Sequence, residues 1–140
     1  MKVCIILAAL CIAAVQSGIV DHTRCGGTGM MREMRIQDCE GAIAVMTPGK
    51  PYACEGDIIT SRPAAALRFK VTAIYLGFPV IIIDTVLEGS SVQPGEAVTL
   101  RYTIVPNDIL SGNTLPVNSE ISNDETALIE VCATVQVRVE

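Results

Sequence analysis

Three segments of this chain alternate between apolar and polar residues, and this alternation constrains the fold more than any other feature. In residues 67–75 every second side chain is apolar, and the same period of two returns in residues 98–104 and 131–139. Successive side chains of a β-strand point to opposite faces of the sheet, so this period indicates strands with one buried and one solvated face. We therefore expect sheets that bury one face against each other.

Four further strands are expected between turn-forming residues such as Gly77 and the pairs Pro48-Gly49 and Pro94-Gly95. These strands cover residues 31–37, 52–59, 78–83 and 114–121. Pro79 favours an edge position for the third of them, because proline cannot donate a ladder hydrogen bond. About seven strands in a chain of 140 residues predict an all-β fold, an antiparallel two-sheet β-sandwich.

Residues 1–17 have the layout of a cleavable secretory signal peptide. Lys2 precedes the apolar run 3–15, and Val15 and Ser17 supply small residues at the minus-three and minus-one positions of a cut after Ser17. The alternatives are a buried first strand or a membrane anchor, but the run is shorter than the roughly 18 apolar residues that a spanning helix needs. We expect a signal peptide over 1–17 and one secreted domain over 18–140, located outside the cell or in the endolysosomal lumen.

The mature chain keeps four cysteines, Cys25, Cys39, Cys54 and Cys132. An even number of cysteines in an oxidising compartment predicts two disulfides. Cys132 lies at a polar position of its alternating strand, so its thiol points away from the core and can meet the N-terminal segment that carries Cys25. Cys39 and Cys54 then pair by elimination. Four cysteines allow three pairings, and the other two remain open at this stage.

Charge and reactive side chains argue against several classes of function. The formal net charge is -5 and no cluster of Lys or Arg stands out, so binding to nucleic acid is not expected. His22 is the only histidine and lies near the N-terminus of the mature chain. No nucleophile stands beside a base, and no set of metal ligands is present in the sequence pattern. We therefore expect neither an enzyme nor a bound metal or cofactor.

Several short motifs follow each other in an order and at a spacing that characterise a known family. They are Cys25, Asp38-Cys39, Gly49-Lys50-Pro51-Tyr52, Gly77-Phe78-Pro79-Val80, Tyr102, the run 121–125 and Val131-Cys132. With the leader and the strand count, they resemble the MD-2-related lipid-recognition (ML) family, which includes the soluble Niemann-Pick type C sterol carrier and the group 2 mite allergens. The resemblance implies an immunoglobulin-like sandwich whose sheets part slightly and leave an apolar cavity for a lipid.

The resemblance implies a binding function without catalysis. We expect a monomeric carrier that binds a sterol, a fatty acid or another lipid for transport or presentation, and that contacts a membrane or a receptor during transfer. The alternative is an interaction module with a filled core that binds an immune or other receptor. The composition agrees with an aliphatic cavity, because half of the residues are hydrophobic whereas aromatic residues make up only 4%.

The strand over 78–83 is expected to border the cavity. By alternation Phe78, Val80 and Ile82 share its inner face, whereas Ile81 and Ile83 face outward. The side chains expected in the cavity wall are Phe69, Val71, Tyr75, Phe78, Val80, Ile82, Leu100, Tyr102, Ile104, Leu115, Val117 and Val131.

Overall fold

The computed structural model describes residues 17–140, which form ten β-strands and one turn of 3₁₀ helix. The strands are β1 (Ser17–Val20), β2 (Thr23–Gly26), β3 (Met30–Gln37), β4 (Ile43–Met46), β5 (Tyr52–Ile59), β6 (Leu67–Tyr75), β7 (Phe78–Leu87), β8 (Ala97–Ile104), β9 (Thr114–Asn123) and β10 (Ile129–Val139). The 3₁₀ turn, Asp108–Leu110, lies between β8 and β9. The expected leader lies outside the described residues apart from Ser17, so its cleavage stays a prediction.

All seven predicted strands are present, and β5 and β6 have the predicted bounds. The third of the additional strands, β7, continues beyond its predicted end to Leu87. The sequence did not indicate β1, β2 and β4, because four residues are too few to show a clear period.

The strands form two sheets that pack as an immunoglobulin-like antiparallel sandwich, the fold class that was predicted. Sheet A has the order β1-β3-β5-β8, and sheet B has the order β2-β10-β9-β6-β7, with β4 also paired to β10. β2 pairs antiparallel with the first half of β10, whereas β4 pairs in parallel with its last four residues. Within residues 17–140, β7 pairs with β6 alone and β8 with β5 alone, so both are edge strands. The edge position predicted from Pro79 is confirmed.

Inward side chains of both sheets form the core. On β6 the alternating residues Leu67, Phe69, Val71 and Ala73 are all buried, as the sequence predicts. Phe69 packs against Tyr102 of β8, with ring centroids 4.8 Å apart and an interplanar angle of 61°. This edge-to-face contact joins the two sheets and closes the middle of the sandwich.

A bulge at Ile82 interrupts the alternation of side chains in β7. Residues after the bulge therefore point to the face opposite to the one that strict alternation predicts. Thr72 pairs with Ile81 but Val71 pairs with Ile83, so Ile82 is an extra residue in β7. Ile83 therefore lies opposite a buried residue and packs against the core, which corrects the outward direction predicted for it. Ile81 is exposed, as predicted.

The predicted disulfide between Cys25 and Cys132 is confirmed, with Cα atoms 4.9 Å apart. Cys132 lies in β10 where that strand pairs with β2, and β2 carries Cys25. The parity of the last strand thus predicted the outward direction of the Cys132 thiol, on which this bond depends.

The predicted bond between Cys39 and Cys54 is corrected by the structure, because both are buried free thiols. Cys54 lies on the inner face of β5 and its Sγ donates to the Tyr52 carbonyl oxygen at 3.5 Å. Cys39 follows the end of β3, and its Sγ donates to the Val45 carbonyl oxygen at 3.5 Å. Each thiol thus has its own backbone acceptor, and elimination among four cysteines was not enough to establish a bond between these two.

Candidate functional site

An apolar cavity of about 110 Å³ lies between the sheets at one end of the sandwich. At this end β6, β8 and β10 finish, and β7 and β9 begin. The lining residues are Met46, Ala73, Val80, Ile82, Ile104, Val105, Pro106, Asn107, Leu110, Leu115, Val117, Val137 and Val139. All of these described residues except Asn107 have apolar side chains.

The apolar lining follows from the alternation that predicts the strands. Leu115 and Val117 alternate on β9, Val137 and Val139 alternate on β10, and all four are buried. Ala73 ends the inner row of β6, and its single methyl group leaves space that a larger side chain would fill. The sandwich is thus closed in the middle and less completely filled at this end.

The cavity opens between β7 and the segment 105–110 that follows β8. Val80 and Ile82 of β7 line the cavity, yet they are 46% and 39% exposed. On the opposite rim the Pro106 carbonyl oxygen accepts a hydrogen bond from the Gly49 N–H at 2.9 Å, which anchors this segment. In the described part of the chain β7 and β8 do not pair with each other, so no backbone ladder closes this side.

Five of the twelve side chains expected in the wall do line the cavity. These five are Val80, Ile82, Ile104, Leu115 and Val117. Five others pack in the closed core instead, namely Phe69, Val71, Leu100, Tyr102 and Val131. Alternation indicates which face of a strand points inward, but it does not indicate where along the strand the sheets part. The ligand-binding role of the lining residues stays a prediction.

Tyr75 and Phe78 lie at the tip of the β6–β7 hairpin and not in the cavity wall. β6 pairs with β9 only as far as Ala73, opposite Val117, so the hairpin tip extends past its neighbour in sheet B. Phe78 is 72% exposed there, and Leu76 in the turn is also exposed. These two expected wall residues therefore belong to an apolar surface beside the cavity mouth.

Eight lining residues were not predicted: Met46, Ala73, Val105, Pro106, Asn107, Leu110, Val137 and Val139. The alternation of β6 and β10 already places Ala73, Val137 and Val139 on inner faces, so a signal for these three was present. Met46 belongs to a strand too short to show a period. The segment 105–110 is irregular, so its approach to β7 could not be inferred from the sequence pattern.

Charged side chains form ion pairs on the outer face of sheet A and do not line the cavity. Arg35 Nη1 lies 2.7 Å from Asp57 Oδ2, and Arg35 Nε lies 3.1 Å from Glu55 Oε1. Hydrogen bonds from Arg35 and then Thr99 lower the pKa of Asp57 to about 2. Among the described lining residues none is charged, so the surface of the cavity is almost entirely apolar.

The part of the chain that the structure describes contains neither a cluster of metal ligands nor a membrane-spanning helix. In residues 17–140, no group of three or more His, Cys, Asp or Glu side chains could hold a metal ion. No helix in the same range combines the length and apolarity of a transmembrane segment.

Comparison with known proteins supports the resemblance found in the sequence. No protein-family model matches the chain. Over 107 residues the chain is 25% identical to the mite group 2 allergen Gly d 2.02 of Glycyphagus domesticus, an alignment that covers 73% of this chain and 86% of the allergen. The resemblance to the ML family is confirmed.

Solved structures resemble this β-sandwich in fold. A Niemann-Pick type C2 protein from the Japanese carpenter ant superimposes with a TM-score of 0.68 at 11% identity, covering 86% of this chain and 99% of that chain. The C-terminal domain of wzt superimposes with a TM-score of 0.60 at 12% identity, covering 86% of this chain and 77% of that chain. At such identities the similarity demonstrates the fold alone.

Proposed function

We propose that this ML-type chain is a secreted carrier that holds a sterol, a fatty acid or another lipid between its sheets. It transports or presents the ligand without changing it chemically. The observation that carries this proposal is the cavity at the open end of the sandwich, whose lining is apolar except for Asn107. Burial of apolar ligand surface there would contribute roughly 25 cal/mol per Å², so binding needs no charged or catalytic group.

The cavity has to widen when it binds a whole lipid. Its volume of about 110 Å³ is well below the roughly 300–1,000 Å³ of pockets for drug-sized ligands. β7 can move with the least disruption, because it has one neighbouring strand and its bulge at Ile82 interrupts the ladder. Outward movement of Val80 and Ile82 would enlarge the cavity without breaking the pairing within the rest of sheet B.

Two features support a secreted protein that meets a partner during transfer. The Cys25–Cys132 disulfide fits an oxidising extracellular or luminal compartment. The exposed side chains of Leu76, Phe78 and Ile81 lie on β7 or its turn, beside the mouth of the cavity. They supply an apolar surface for contact with a membrane or a receptor when the ligand is transferred.

The test is native mass spectrometry of the protein secreted by cells that express the full chain, followed by extraction of any bound molecule. We expect about one apolar molecule per chain. Val80→Trp should abolish this binding, because an indole would occupy the small cavity from its rim. Ile81→Trp is the matched control, since it changes the next residue of the same strand to the same side chain on the exposed face.

Two results would contradict the proposal. Equal ligand content in Val80→Trp and the unmodified protein would move the binding site away from this cavity. A protein that neither copurifies with a lipid nor takes one up would instead support the interaction module with a filled core.

A further inference from the structure

Asn107 is a polar residue at the rim of an otherwise apolar cavity. It directly follows Pro106 and precedes the 3₁₀ turn Asp108–Leu110, opposite the β7 rim. Its side chain is exposed to solvent, so a ligand that enters the cavity can contact Asn107 and water at the same end. This position is suited to the polar end of a molecule whose apolar part lies between the sheets.

The orientation of the Asn107 side chain is fixed by its role as the N-cap of the 3₁₀ turn. Its Oδ1 accepts a hydrogen bond from the Ile109 backbone N–H at 3.0 Å. A backbone N–H can only donate, so the side-chain atom that faces it must be the oxygen. The side-chain NH₂ group therefore lies on the other side of the planar amide, where it offers two donors.

The backbone on both sides of Asn107 is held in place. The Leu110 N–H donates to the Asn107 carbonyl oxygen at 3.1 Å, and the Gly49 N–H donates to the Pro106 carbonyl oxygen at 2.9 Å. A donor on a braced segment loses little conformational entropy when it forms a hydrogen bond with a ligand. Asn107 is thus a preorganised donor at the cavity rim.

We propose that the Asn107 side-chain NH₂ group donates a hydrogen bond to a neutral acceptor oxygen at one end of the ligand, a hydroxyl or carbonyl. This inference rests on the proposed carrier function and narrows its ligand class to lipids with one small neutral polar group. An anionic head group is disfavoured, because none of the described lining residues is basic and the acidic Asp108 follows directly. An ammonium head group has no acceptor for the Asn107 NH₂ donor. Asn107 is therefore a specificity-determining residue for a ligand whose tail is recognised by shape.

The test compares two probes of similar length, methyl nonanoate, which only accepts hydrogen bonds, and decane, which forms none. Asn107→Asp preserves the cap, because aspartate accepts from the Ile109 N–H and is equally favoured at an N-cap, but an ionised carboxylate has no donor. We expect the affinity for methyl nonanoate to fall by about three- to tenfold, as for loss of one neutral hydrogen bond. The affinity for decane should stay unchanged.

Asn118→Asp is the matched control, because it makes the same chemical change on the outer face of β9. There Asn118 Oδ1 accepts from Thr134 Oγ1, and a carboxylate can do the same. This variant should bind both probes like the unmodified protein.

Unchanged affinity of Asn107→Asp for methyl nonanoate would overturn the inference, and so would an equal loss for both probes, which indicates altered packing. In either case binding of decane by the unmodified protein would leave the carrier function intact. Failure of the unmodified protein to bind either probe would overturn the carrier function, and this inference with it.

Discussion

Glu130 is a carboxylate that the fold buries almost completely, with 2% of its side chain exposed. Its Oε1 accepts hydrogen bonds from the Ser61 N–H at 3.0 Å and the Ser61 hydroxyl at 3.3 Å, and its Oε2 accepts one from Arg62 Nε at 2.7 Å. Burial raises the pKa of Glu130, but the hydrogen bonds from Arg62 and Ser61 together outweigh it, so the pKa is lowered. Glu130 therefore joins β10 to the segment that follows β5.

Glu130→Gln should lower the free energy of unfolding by about 1–3 kcal/mol at neutral pH, because the buried ion pair and its hydrogen bonds are weakened. The folded pKa lies below the unfolded value of about 4.3. The contribution of the carboxylate is therefore complete above that value, and it is lost as the pH falls through the folded pKa. Denaturant unfolding of the two proteins at several pH values measures this difference.

The difference between Glu130→Gln and the unmodified protein should shrink in acid. Glu125→Gln, in the exposed turn after β9, serves as the control and should leave stability unchanged. A difference that stays constant down to the acid limit of folding would show that the charge of Glu130 contributes nothing to stability.

The two buried thiols should react only when the protein unfolds. Burial, and then the nearby Cys39, raise the pKa of Cys54 to about 12, and burial also raises the pKa of Cys39. Thiolate is the reactive form, so a thiol reagent should label neither residue in the native protein. In denaturant without reductant we expect two labelled thiols per chain. No labelling there would reveal a second disulfide, and four labelled thiols would show that the leader with Cys4 and Cys11 is retained.

Single residues were the hardest features to predict from the sequence. The parity of Cys132 was sufficient to place its disulfide on the outside of β10, because strand geometry alone sets that direction. Glu130 carries no comparable signal, since its partner Arg62 is 68 residues away and nothing in the local pattern joins them. Asn107 also lies in an irregular segment, where only the folded chain shows that it borders the cavity.

The β6–β7 hairpin illustrates what alternation can and cannot predict for an element. It predicted β6 with its bounds, because every second residue from Leu67 to Tyr75 is apolar or aromatic. Alternation assigned Ile83 to the wrong face, because the bulge at Ile82 shifts the later side chains of β7 to the opposite face. A continuous apolar run in the sequence gives no sign of such an extra residue. Short strands such as β4 show no clear alternation in the sequence and were therefore not predicted. β4 nevertheless contributes Met46 to the cavity.

β7 should be the most mobile strand of sheet B. It has one neighbour in the described fold and exposed side chains along most of its length, whereas β9 is paired on both sides. Amide hydrogens of β7 should therefore exchange faster than those of β9 in the free protein, and binding of a lipid should slow the exchange of β7. Hydrogen exchange followed by mass spectrometry measures both strands in one experiment. Equal protection of β7 and β9 in the free protein would contradict the proposed movement.

The disulfide and the cavity lie far apart in the molecule. The Cys25–Cys132 disulfide lies near the start of β10 and the cavity lies near its end, about 20 Å away at the usual rise per residue. A bond that closes a loop of 107 residues stabilises by about 4–5 kcal/mol in the chain-entropy model. The disulfide and the Phe69–Tyr102 contact can thus keep the sandwich together while β7 moves at the other end.

The sandwich and its two-faced strands could be predicted because their cause is local and repeats along the chain. The cavity could be predicted only in general terms, through the family resemblance. Its position depends on the small side chain of Ala73 and on the gap between the segment 105–110 and β7. Both are properties of contacts between distant parts of the chain.

The proposed function requires that an apolar ligand lies between the sheets at the cavity end of the sandwich. A crystal of the protein soaked with a brominated alkane would locate such a ligand, because the position of bromine can be determined by anomalous scattering. We predict one bromine peak enclosed by Val80, Ile104, Leu115 and Val117, with β7 displaced outward. Peaks confined to the outer surface, with the two sheets in unchanged contact, would contradict binding between the sheets.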